Sequence, residues 1–164
     1  MKHTLSVVVE DRPGALTRIT TMFARRAFNI ESLAVGPTER PGVSCITIRV
    51  DCARHSLEQI EKQIHKLVNV LRVTELVAGE AVERELLVIR VSAAPEKRAE
   101  LVTTAEALGG RLLDVGSDAV VLELTCTPEE LVRPHGVREL ARTGRIGLRR
   151  PGPRRSRQHA APIS

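Results

Sequence analysis

Apolar and polar positions alternate at the start of the chain. Leu5, Val7 and Val9 are set against Thr4, Ser6 and Val8, predicting a strand with one apolar face that stops at Glu10-Asp11. The period then lengthens: Leu16, Ile19, Met22 and Phe23 recur at helical spacing through Arg26, with Pro13 in the first turn, where a helix tolerates it. A second strand is expected over 29–37, a turn at Glu39-Arg40-Pro41-Gly42, and a third strand carrying Ile46, Ile48 and Val50. Ser56 is placed to cap a helix whose Leu57, Ile60, Ile64 and Leu67 share a face, and 70–77 reads as a fourth strand. This βαββαβ order places two helices on one face of an antiparallel sheet, the ferredoxin-like layering.

After Gly79-Glu80 the rhythm restarts. Leu87, Ile89 and Val91 alternate, a helix over 95–108 carries Leu101, Val102, Ala105 and Leu108, and Gly109-Gly110 stops it. Strands are expected over 111–116 and 119–124 around a Ser117-Asp118 turn. The next helix has only 128–133 before Pro134, roughly 9 Å at 1.5 Å per residue, and 135–148 reads as one last strand-like segment. The fold class is therefore α+β, with two ferredoxin-like βαββαβ modules, the second with a shortened helix that would leave apolar sheet uncovered. The boundaries fall at 1–78 and 79–148, followed by a tail at 149–164.

Composition narrows the chemistry. The 164 residues are 42% hydrophobic and 27% charged, enough for a core, and no apolar run or amino-terminal signal pattern points to a membrane or a secretory route, so a cytoplasmic address is expected. The net charge of +5 sits in the tail: Arg149, Arg150, Arg154, Arg155 and Arg157 face no acid there, so the body is neutral and the Pro/Arg-rich tail is read as disordered and solvated. With Phe23 and Phe28 the sole rings, base stacking lacks a platform and a nucleic-acid role is not expected. Cys45, Cys52 and Cys126 form no C-x-x-C pair, and Cys52 with His55 lacks a second ligand pair, so buried reduced thiols are expected and no metal site. No nucleophile, acid–base pair, P-loop or dinucleotide fingerprint is present, so no catalytic residue is assigned and an enzyme reading, such as a small hydrolase, has no support.

Val7-Val8-Val9-Glu10-Asp11-Arg12-Pro13-Gly14-Ala15-Leu16, followed by Phe23-Ala24-Arg25-Arg26-Ala27-Phe28-Asn29-Ile30-Glu31-Ser32-Leu33, resembles the ACT domain, and in particular that of the acetolactate (acetohydroxyacid) synthase small, regulatory subunit family. The likeness continues through Gln59 to Leu67, Val70-Leu71-Arg72-Val73, Val82-Glu83-Arg84-Glu85-Leu86 and the segment 138–148. The resemblance implies a non-catalytic subunit in branched-chain amino acid biosynthesis. Such a subunit forms a homodimer through its ACT domain, binds a branched-chain amino acid, usually valine, activates the catalytic large subunit and mediates feedback inhibition. Cofactors, namely thiamine diphosphate, Mg and FAD, would belong to that partner. The alternative is a free-standing ACT-type amino-acid sensor controlling another enzyme.

The resemblance places the effector pocket around Asp11, Gly14 and Asn29 at the seam between two ACT domains, with Arg12, Pro13, Ala15 and Ile30 beside them. The residues give physical reasons: Gly14 lets a ligand approach the backbone, and helix-start N–H groups attract a carboxylate. Asn29 offers hydrogen bonds, Asp11 an anionic partner for an ammonium and Ile30 an apolar wall. Plainer uses exist for each: Asp11 as a helix cap, Gly14 for close helix–sheet packing, Asn29 in a left-handed turn. Asp11 also stands where many members of the family carry Asn, a charge that either strengthens the hold on an ammonium or, beside another carboxylate, weakens it. The 59–66 helix face is a second candidate surface, for the catalytic subunit.

Overall fold

The computed structural model describes residues 2–52, 56–126 and 136–152. They fold into two compact units, one running through Val82 and resuming at Arg145, the other Glu83–Gly144.

In the first unit β1 (Lys2–Glu10), α1 (Ala15–Arg25), β2 (Asn29–Pro37), β3 (Val43–Asp51), α2 (Leu57–Ile64) and β4 (Val70–Glu75) follow the expected order. The sheet order is β2-β3-β1-β4, all antiparallel. Leu5, Val7 and Val9 lie opposite Ile48, Ile46 and Ser44 on one face. The apolar members of that face join Ile19 and Phe23 of α1 and Ile60 and Ile64 of α2 in one core, so both helices cover the same side. Phe23 and Phe28 meet edge to face with centroids 5.7 Å apart. Ser56 and Gln59 form a reciprocal capping box at the start of α2.

Two local expectations are corrected here. Pro13 lies outside α1, because Gly14 at φ +84° is left-handed and the helix can begin only at Ala15. Leu16, expected in the apolar stripe, is exposed; Ala15 takes the inward position instead.

The second unit contains most of β5 (Ala81–Ser92), a 3₁₀ turn (Pro95–Lys97), α3 (Arg98–Ala107), β6 (Arg111–Val115), β7 (Ala119–Cys126) and β8 (Val137–Arg142), its strands in the order β6-β7-β5-β8; β9 (Ile146–Arg149), in the segment where the first unit resumes, pairs with β5, whose first residues belong to that unit too. Leu87, Ile89, Val91, Val120 and Leu122 form the second unit's core with Ala105 of α3.

Three readings change. The predicted helix over 95–108 opens as a 3₁₀ turn at its proline, and Leu108 is exposed because the chain turns into β6 through Gly109 at φ +74°. The segment 135–148 is not one strand: Gly144 at φ +82° separates β8 from β9. The cysteines form no disulfide among the described residues and are half-buried rather than buried: Cys45 stands opposite Val8 on β3, while Cys52 just past β3 and Cys126 at the end of β7 pack partly against the two cores. Every residue of the edge strand β6 is exposed, Leu112, Leu113 and Val115 included. The short helix expected at 128–133, His55 and most of the basic tail lie outside the described residues. No helix among the described residues is long and apolar enough to cross a membrane.

Candidate functional site

The loop between β1 and α1 is held from two sides. The Asp11 N–H donates to Gly42 O at 2.8 Å, from the turn joining β2 to β3, and the Glu10 N–H donates to Asn69 O at 2.9 Å, just ahead of β4. The Glu10 carboxylate accepts from Asn69 Nδ2 at 3.1 Å and pairs with Arg12 Nε at 3.1 Å, while Arg18 donates to Asn69 Oδ1. Within the loop, the Arg12 N–H reaches Glu10 O at 2.9 Å and the Ala15 N–H reaches Arg12 O at 3.1 Å. A short, fixed loop is thus presented at the positive end of an eleven-residue helix.

Gly14 is the N-cap of α1 and contributes no side chain to it. A Cβ built there would meet nothing within 4 Å, so the space above its backbone is open, and close helix–sheet packing is not what requires the glycine. The left-handed φ is. Asp11, Arg12, Pro13 and Gly14 are exposed, and Ala15 is buried beneath them. The Asp11 carboxylate does not cap α1, and among the described residues it makes no side-chain hydrogen bond or ion pair. An anionic group stands beside the helix start, held only through its backbone.

Asn29 and Ile30 stand elsewhere. Asn29 opens β2 opposite Asp51, which itself lies opposite Lys2 at the far end of β1. Eight steps along β1 separate that level from Glu10, about 26 Å at roughly 3.3 Å per residue. Residues 11–15 are therefore together within one chain, and Asn29 with Ile30 lie at the opposite end of the same sheet. Asn29 is exposed in extended backbone, and the left-handed residue nearby is Ala27 at φ +54°. Ile30 packs partly against the core. Glu31, next along, is the extra residue of a β-bulge between Ile30 and Ser32, and its carboxylate binds Lys2 Nζ at 2.8 Å and Arg49 Nε at 2.9 Å.

β2 is an edge of its sheet with Val35 half-exposed, so this unit presents an open strand edge that begins at Asn29. Were a second copy to pair antiparallel along β2, Asn29 of one would approach the β2–β3 turn of the other, the turn that holds Asp11.

Sequence reasoning did not single out the cations Arg18, Arg25 and Arg26, which line one groove beside α1 together with Lys66, the last residue of the 59–66 candidate surface. The available signal was that α1 contains no acidic residue. Among the described residues no cluster of three or more His, Cys, Asp or Glu side chains could hold a metal ion.

The chain matches two family models in succession: an AHAS small subunit-like ACT domain over residues 5–72 and the small subunit of acetolactate synthase over residues 84–151. It is 44% identical over 154 residues to the probable acetolactate synthase small subunit of Archaeoglobus fulgidus, covering 90% of this chain and 96% of that one. With the acetolactate synthase small subunit of Mycolicibacterium smegmatis it shares 42% over 158 residues, 93% and 92% of the two chains. The crystal structure of the Thermotoga maritima acetolactate synthase small subunit superposes with a TM-score of 0.79 at 35% identity, covering 92% of this chain and 98% of that one. The chain therefore belongs to the acetolactate synthase small-subunit family, with an ACT module ahead of a second α+β module.

Proposed function

We propose that this chain is a non-catalytic regulator that binds the catalytic large subunit of acetolactate synthase, raises its activity and confers feedback inhibition by valine in the branched-chain amino acid pathway. In this reading the chain works in the cytoplasm as a homodimer, its ACT modules pairing along β2. Thiamine diphosphate, Mg and FAD are held by the catalytic subunit.

The observation that carries the reading is the loop of residues 11–14, bare above Gly14 and fixed at a helix N-terminus. The ligand carboxylate sits over the Gly14 backbone, where the first-turn N–H groups and the helix dipole favour negative charge. The Asp11 carboxylate receives the ammonium. Asn29 and Ile30 come from the partner copy, closing the seam with an amide and an apolar wall. Arg12, Pro13 and Ala15 hold the loop in shape. Inhibition then follows from differential affinity: valine shifts the holoenzyme toward the arrangement whose seam it binds better.

The test is isothermal titration of the chain with L-valine, against L-leucine, L-isoleucine and L-arginine. Binding between about 1 μM and 1 mM is expected, roughly −8 to −4 kcal/mol. Gly14→Asp, which places a charge in the carboxylate position, abolishes it, and Asn29→Ala weakens it by about 1.5–3 kcal/mol, the loss of one hydrogen bond to a charged group. Unchanged valine affinity in folded Gly14→Asp protein would place the pocket elsewhere, and co-purification with a different enzyme in place of the large subunit would favour the free-standing sensor.

A further inference from the structure

A groove of about 840 Å³ runs away from Gly14 between α1 and the turn that follows α2. Arg18, Met22 and Arg25 fall on one face of α1 at the i, i+4, i+7 spacing, Arg26 extends the row, and Lys66 and Leu67 line the opposite wall. No acidic residue lines the groove.

Elsewhere on this unit several cations are matched: Lys2 and Arg49 share Glu31, Arg12 has Glu10 and Lys62 has Glu58, while Arg40 and Arg72 stand singly outside the groove. In the groove Arg18 donates to a neutral amide, that of Asn69, and Arg25, Arg26 and Lys66 make no ion pair among the described residues. Like charges held this close on a helix face repel one another, a cost that a bound anion relieves. The floor differs from the rim. Met22 and Leu67 pack partly against the core and present apolar surface between the charges.

An apolar floor with a cationic rim suits an amphipathic protein segment better than a bare phosphate, and no aromatic ring lines it to stack a nucleobase. Arg18 and Arg25 are two helical turns apart, about 10 Å at 1.5 Å per residue, which matches successive turns of a partner helix.

We infer that this groove docks an acidic, amphipathic segment of the catalytic large subunit, its carboxylates on Arg18, Arg25, Arg26 and Lys66 and its apolar side chains on Met22 and Leu67. The inference rests on the large subunit being the partner, and it assigns the contact to a surface that begins beside the effector loop at Gly14 and runs along α1.

The test measures binding of the cognate large subunit to the full chain at two salt concentrations. Arg25→Glu and Lys66→Glu are each expected to weaken binding at least tenfold and to flatten its salt dependence. Arg72→Glu, the same charge reversal at an exposed position of β4 outside the groove, stays within about twofold. Poly-L-glutamate competes with the large subunit for the wild-type chain. Circular dichroism melts confirm that each variant is folded, and Arg25→Gln and Lys66→Gln repeat the test without introducing an acid. If the wild-type chain does not bind the large subunit, the partner reading itself fails. If wild type binds and the groove variants bind as tightly as Arg72→Glu, the groove assignment alone is overturned. Competition by inorganic tripolyphosphate but not by poly-L-glutamate would also overturn it, in favour of a small-polyanion site.

Discussion

A Cβ built at Gly110 would lie 2.5 Å from Leu124 Cδ2 and 2.6 Å from the Glu123 backbone oxygen, whereas one built at Gly14 meets only open space. The two glycines are needed for different reasons: Gly110 lets the turn after α3 close against β7, and Gly14 supplies a backbone angle. Gly110→Ala is expected to lower stability by about 1–3 kcal/mol through overpacking, and Gly14→Ala by about 1 kcal/mol through the left-handed φ alone. Thermal melts of the two variants check this; equal losses would mean that the backbone oxygen near Gly110 yields easily. Gly14 was legible in the sequence because it sits in a recognisable loop ahead of an apolar stripe. Gly109-Gly110 read only as a helix stop, and nothing local distinguished the glycine that turns the chain from the one pressed against a neighbouring strand. Asp11 shows the same limit: its residue type suits a cap, but the cap position falls three residues later, on Gly14.

At the level of elements, alternation and helical spacing located β1, β3 and the core faces of α1 and α2, because a buried face imposes its period on the sequence. What escaped was set by single backbone angles or by register: the late start of α1, the break at Gly144 and the bulge at Glu31. That bulge turns Glu31 toward Lys2 and Arg49, tying β2 to the two strands beyond it. Burial alone would raise the Glu31 carboxyl, but hydrogen bonds from Lys2 and Arg49 and their charges outweigh it and hold the group below its ordinary value of 4.5. Such a group stabilises the fold above its ordinary value, and the contribution is lost as pH falls through the lowered one. Glu61 is the opposite case, raised by burial and by the nearby Glu75 charge, so its contribution is present in acid and lost as pH rises through the raised value. Glu31→Gln should therefore melt below wild type at pH 7, with the gap closing in acid, and Glu61→Gln should melt above wild type at pH 7, with the gap closing below about pH 4.5. Melts of both variants from pH 3 to 8 check the signs, and a pH-independent gap for either would remove ionisation as the cause.

For the whole molecule, the family and the two-module layering were legible because the loop and helix motifs recur in order along most of the chain. The distance between Asn29 and Gly14 was not: neighbouring motifs in sequence lie at opposite ends of one sheet, and only the strand register reveals it. If each effector site takes its loop from one copy and Asn29 from the other, a mixed dimer of Gly14→Asp and Asn29→Ala chains carries one doubly damaged site and one intact site. Refolding an equimolar mixture of these variants should restore valine binding at wild-type affinity to about one quarter of the sites, the share expected from random pairing. Titration calorimetry measures it, and no recovery from verified mixed dimers would place both residues in the same chain's site.

A site divided between two copies in this way would also respond to dilution. A ligand that touches two chains has no site on one, so every valine bound there would also add to the free energy holding the pair together. Chain too scarce to pair would be insensitive to the amino acid however abundant that amino acid is. The threshold for feedback would then depend on how much of this subunit the cell makes, as well as on the metabolite it senses.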